Sequence, residues 1–152
     1  MSTKEKQVPM GEIKTMEFNI TRTIPASPAE VYDAWLDPKL PVNPWHGGQK
    51  LDFTPRPGAL WFFMHVMNGT ELPHYGRFDV LERPSRIQLS WMSRHTRGLE
   101  SVVTVTFKPK GDETILTLKH ANIPDDEMGR AHDDGWTSLT NKLEERFATA
   151  RA

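Results

Sequence analysis

Residues 128–147, MGRAHDDGWTSLTNKLEERF, decide the fold. Met128, His132, Trp136, Leu139, Leu143 and Phe147 recur every three or four positions, which sets them along one stripe of an α-helix. Just upstream, Asp125, Asp126 and Glu127 place negative charge at the positive end of the helix dipole. The pattern predicts a terminal amphipathic helix of about 23 residues, roughly 35 Å long. Gly135 breaks the pattern directly before Trp136, at a cost of about 1 kcal/mol relative to Ala. We read the missing side chain as room for the helix backbone to approach a sheet while Trp136 plugs the space beside it. On that reading Gly135→Ala destabilises the protein.

The rest of the chain supplies the sheet. Phe18 and Ile20 alternate with Glu17, Asn19 and Thr21, a first strand starting at Met16. Ser27, Pro28 and Glu30 then form a capping box with proline at the first helical position, and Val31, Ala34 and Trp35 give that helix one apolar face. The stretch PKLPVNPWHGG (38–48) carries too many prolines for more than a turn or two of helix. Six further strands follow: KLDF (50–53), ALWFFMHVM (59–67), HYGRFDVLE (74–82), IQLSWM (87–92), SVVTVTFKP (101–109) and TILTLKHA (114–121). TPRPG, NGTELP, RPSR and KGDE read as the turns between them. Phe78 and Val80, Ile87 with Leu89 and Trp91, Val103 with Val105 and Phe107, and Leu116 with Leu118 and His120 are the expected inward sets. Gln88, Ser90, Thr104, Thr106, Thr117 and Lys119 alternate with them and predict a solvated outer face. The strand at 59–67 is apolar on both faces, which suggests cover by the broken helical segment before it or a homodimer contact.

These elements suit one domain at 16–152 behind a polar, unpatterned tail at 1–15. Nineteen basic and 20 acidic residues leave a net charge of −1 and no basic stripe, which argues against nucleic acid. Without cysteine there is no disulfide, thiol nucleophile or zinc–thiolate site. The amino terminus has no apolar signal-peptide core and no apolar run reaches about 18 residues, so no membrane span is expected and a cytoplasmic protein is.

Five stretches in this order resemble one family: ASPAEVYDAWLDP (26–38), PRPGALWFFM (55–64), GRFDVLERPSRIQLSW (76–91), VTVTFKPKGDETILTLKHANIP (103–124) and DGWTSLTNKLEERF (134–147). Strand, short helix pair, six antiparallel strands and long helix is similar to the helix-grip fold of the START-like, or SRPBCC, superfamily, typified by birch-pollen-allergen-like proteins. Within it the sequence most resembles the carboxy-terminal domain of the activator of the ninety-kilodalton heat-shock chaperone ATPase. The resemblance implies an α+β fold with a curved seven-stranded antiparallel sheet wrapping the last helix, and two short helices after the first strand. It also implies one of three activities, since fold alone does not fix function. These are ligand binding, chaperone-cofactor work in the stress response, and cyclase or aromatase chemistry. Members named for the chaperone carry that activity in a two-domain protein of which this module is the carboxy-terminal half. Here only residues 1–15 precede the module, so ligand binding ranks first.

Six histidines invite a search for metal, yet no H-E-x-x-H and no pair at i, i+4 occurs. No serine sits in a G-x-S-x-G context and no glycine-rich phosphate loop is present, so no catalytic residue, metal or cofactor is assigned. A curved sheet gripping one helix leaves volume that side chains do not fill. Trp61, Phe63, Phe78, Trp91, Phe107 and Trp136 are the expected lining of such a cavity for a small hydrophobic or lipid-like molecule, with Met64, Met67, Met92 and Met128 as an adaptable wall. His65, Tyr75, His120 and His132 are the expected polar anchors, with His120 and His132 facing each other across the sheet–helix space.

Overall fold

A computed structural model describes residues 13–151. Most of the tail expected at 1–15 lies outside them, and Thr15 already belongs to the first strand. In chain order the elements are β1 (Thr15–Ile24), α1 (Pro28–Trp35), β2 (Gln49–Asp52), β3 (Leu60–Met67), β4 (Thr70–Glu82), β5 (Arg86–Trp91), a 3-10 turn (Arg94–Thr96), β6 (Ser101–Lys110), β7 (Glu113–Pro124) and α2 (Glu127–Arg151). The strands form one antiparallel sheet ordered β1-β7-β6-β5-β4-β3-β2, curved against α2 in the helix-grip arrangement.

Local chemistry sets each element. The Ser27 hydroxyl accepts from the Glu30 amide and the Glu30 carboxylate accepts from the Ser27 amide, both at 3.2 Å, so α1 starts on a complete capping box. The second short helix is absent: residues 38–47 are a run of turns, as prolines 38, 41 and 44 require. Buried Asn43 organises that run. Its Nδ2 donates to the carbonyls of Ala34 and Asp37 at 2.8 Å, and its Oδ1 accepts from the amides of Trp45 and His46 at 3.1 and 3.2 Å. Trp45 is thereby driven inward, where its ring meets Trp35, Phe53, Trp61, Phe63 and Phe78 at 4.8–6.2 Å.

The inward sets on β5, β6 and β7 are all buried. On β4 a bulge between Phe78 and Val80 shifts the phase, so Leu81, opposite Ile87, packs on the core in place of Val80. Ser90, expected outside, is buried and accepts the Arg77 amide at 2.9 Å. The β3–β4 turn is only Asn68-Gly69, at φ of 52° and 78°, the two left-handed positions of a tight hairpin. Thr70–Pro73, expected in that turn, are strand.

The helix start overturns the expectation for Gly135. A Cβ built there would meet nothing within 4 Å, whereas one on Gly129 would stand 1.9 Å from the Pro124 carbonyl oxygen. Gly129 is the position of close approach, and its amide is capped by Asp126 Oδ1 at 2.9 Å. From there α2 runs closest to β1 and β7, pinned by Arg22 Nε donating to Asn141 Oδ1 at 2.9 Å.

Candidate functional site

Because α2 lies over β1 and β7, its first half leaves the wing formed by β3, β4 and β5 uncovered. The gap is a cavity of about 280 Å³. β4 contributes Leu72 and His74, two residues apart on the inner face; the ends of β3 and β5 contribute His65, Met67 and Trp91. Helical spacing brings in Met128, Ala131, His132, Gly135, Trp136 and Leu139, and Pro44 and His95 close the sides. Trp91, Trp136, Leu72 and His74 are buried floor, while His65, Met67, Ala131 and Gly135 are exposed at the mouth. The lining contains no Asp, Glu, Lys or Arg.

Behind the floor lies a closed hydrogen-bond relay. Trp136 Nε1 donates to His120 Nδ1 at 3.0 Å, and His120 Nε2 lies 2.9 Å from Ser101 Oγ. An indole only donates, so Nδ1 is the acceptor and Nε2 carries the single proton of the neutral ring. Ser101 Oγ therefore accepts from His120 and passes its own hydrogen to the Trp91 carbonyl. Burial, with His132 adding to it, pushes the His120 imidazole down to about 3. His120 is thus a neutral, fully bonded positioning residue that fixes Trp91 and Trp136 from behind. It faces His132, ring centroids 5.6 Å apart, but it does not line the cavity.

The relay sets the standing of the other expected residues. His65, Trp91, His132 and Trp136 line the cavity together with Met67 and Met128. Phe63 sits one layer back, stacked on His74 with centroids 4.9 Å apart. Trp61 and Phe78 are covered by Trp45, and Phe107 packs on Tyr32 at 5.4 Å. Tyr75 alternates with His74 along β4 and is 45% exposed, away from the cavity. His74 and His95 are the lining histidines the pattern hid. His74 opens the strand read at 74–82, and alternation back from Phe78 through Gly76 would have put it on the inner face.

His74 Nδ1 lies 2.9 Å from the Leu72 carbonyl and His132 Nδ1 2.7 Å from the Met128 carbonyl. Their rings flank Trp91 edge-on, with centroids 5.4 and 6.4 Å from it. Desolvation holds His74 down at about 4 and also lowers His132, against a smaller upward pull from its backbone bond and Asp126. Among the described residues no three His, Asp or Glu side chains converge to hold a metal ion, and no helix is long and apolar enough to cross a membrane.

Residues 25–148 match the family described as "Activator of Hsp90 ATPase homolog 1-like protein". No curated protein matches the chain. Among solved structures, a protein of Chromobacterium violaceum is similar with a TM-score of 0.74 at 21% identity, over 86% of this chain and 96% of that one. The AHSA1 protein of Silicibacter pomeroyi gives 0.72 at 23% identity, over 89% and 99%. An HSP90 activator of Plasmodium falciparum gives 0.65 at 24% identity, over 81% and 89%. At these identities the likeness speaks for the fold.

Proposed function

The chain belongs to the Activator of Hsp90 ATPase homolog 1-like family, and we propose that within it this protein binds a small apolar or aromatic molecule between α2 and β3–β5. One observation carries this reading: an open cavity floored by Trp91 and Trp136, in which the His120–Ser101 relay ties the Trp136 indole to the Trp91 main chain. Burial of apolar ligand surface at about 25 cal/mol per Å² supplies the drive. The volume of about 280 Å³ lies just below the roughly 300–1,000 Å³ of ligand sites, so the occupant is compact. Cyclase or aromatase chemistry needs a paired acid and base. The lining offers imidazoles and no carboxylate, amine or guanidinium of its own, which favours binding over turnover.

Organic extraction of natively purified protein, followed by mass spectrometry, should recover a compact apolar molecule. A thermal-shift screen should find aromatic compounds that raise the melting temperature. A ligand-free protein that no aromatic or lipid compound stabilises would contradict the reading. The family name supports a second reading, stimulation of a chaperone ATPase. It predicts a rise in chaperone ATPase rate at micromolar protein, which ligand binding alone does not. A homodimer through β3 belongs to the same proposal, supported by exposed Leu60 and Val66 on its outer face; sedimentation of a Val66→Glu variant as a monomer, where the parent is a dimer, tests it.

A further inference from the structure

We propose that the cavity selects neutral aromatic molecules bearing a hydroxyl or N–H donor, which His74 and His132 receive on bare Nε2 lone pairs. This inference rests on the binding reading above and names its ligand class. Carbonyl oxygens carry no hydrogen, so the contacts from His74 Nδ1 to Leu72 and from His132 Nδ1 to Met128 require a proton on each Nδ1. A neutral imidazole has only one N–H, which leaves each Nε2 an acceptor.

The surroundings keep both rings neutral. His74 faces His65 from β3, His95 from the 3-10 turn and His132 from α2, all cationic if protonated. His132 faces His95 and His120, and the neighbours that favour a charge are the Met128 carbonyl and Asp126, itself bonded to the Gly129 amide. Burial outweighs both.

Neither Nε2 has a protein partner among the described residues, and neither is sealed off, as the orphan indole nitrogens of Trp61 and Trp91 are. The Trp136 donor is consumed by His120. Of the lining imidazoles, the two held by backbone carbonyls therefore offer acceptors. Two lone pairs on an apolar floor welcome a phenolic hydroxyl or an indole N–H and repel a carboxylate. A nitrogen as weakly basic as that of His74 receives a hydrogen bond without removing the proton, so the ligand stays unchanged.

Calorimetric titration of the whole chain at neutral pH with β-naphthol, naphthalene, the methyl ether of β-naphthol and β-naphthoate tests this. β-Naphthol should bind about tenfold more tightly than naphthalene or the ether, which bracket it in size, and naphthoate most weakly. Long-range ¹H–¹⁵N spectra of the unmodified chain should show His74 and His132 protonated on Nδ1, with Nε2 shifting on addition of β-naphthol. His74→Leu and His132→Leu should each reduce the preference, and their retained affinity for naphthalene reports that the cavity is intact. Equal affinity for β-naphthol and its ether would overturn the donor selectivity and leave the cavity reading standing. No binding of any of the four would overturn both.

Discussion

Asn43 satisfies two carbonyls and two amides from one side chain that is 2% exposed. Asn43→Ala should cost about 2–3 kcal/mol, read as a lower urea midpoint, because it strands buried backbone groups. The two glycines of α2 make opposite predictions. Gly135→Ala should stabilise by about 0.4–1 kcal/mol, since its Cβ enters open space at the cavity mouth. Gly129→Ala should destabilise, because its Cβ would overlap the Pro124 carbonyl; thermal melts of the pair separate the roles. The histidines predict acid sensitivity. His120 and His74 are held near 3 and 4 in the fold against 6.5 when exposed, so the unfolded chain binds more protons below that value. Stability is complete above pH 6.5 and falls as pH drops from there towards 4, by up to about 1.4 kcal/mol per unit for each ring. A urea midpoint that stays flat across that window would contradict the neutral pair. At this scale the sequence marked His132 and Trp136 through helical spacing, but tautomers and the relay partner Ser101 come from contacts across strands, which no local pattern encodes.

Elements were legible where their signals are local. The capping box of α1, the stripe of α2 and the alternation on β5–β7 all follow from periods of 3.6 or 2. Two features escaped those periods. Asn68-Gly69 needs only two residues to reverse the chain, so Leu72 belongs to β4 and joins His74 in the cavity. The bulge on β4 likewise moved Leu81 inward without any mark in composition. The proline-rich run at 38–48 hid the largest consequence: a segment without regular structure delivers Trp45 to the centre of the core. Trp45→Ala should cost about 3–5 kcal/mol in thermal or urea unfolding. If the variant stays folded, the space released beside Trp61 and Phe78 should admit larger polycyclic ligands than the parent accepts.

For the whole molecule, a sheet curved around one helix implies a hollow, and the sequence conveys that much through element order. Its size and place depend on what else enters. Trp45 fills the middle and Tyr32 covers Phe107, so the expected broad aromatic pocket contracts to one end, between the start of α2 and β3–β5. Gly135→Leu should obstruct the mouth and lower ligand affinity more than tenfold without lowering the melting temperature, because a Cβ there meets nothing within 4 Å. The most direct measurement follows the five indole N–H resonances during a titration with naphthalene. Signals of Trp91 and Trp136 should shift while those of Trp35, Trp45 and Trp61 hold still. Shifts centred on Trp45, or spread equally over all five, would place the ligand elsewhere and contradict a cavity floored by Trp91 and Trp136.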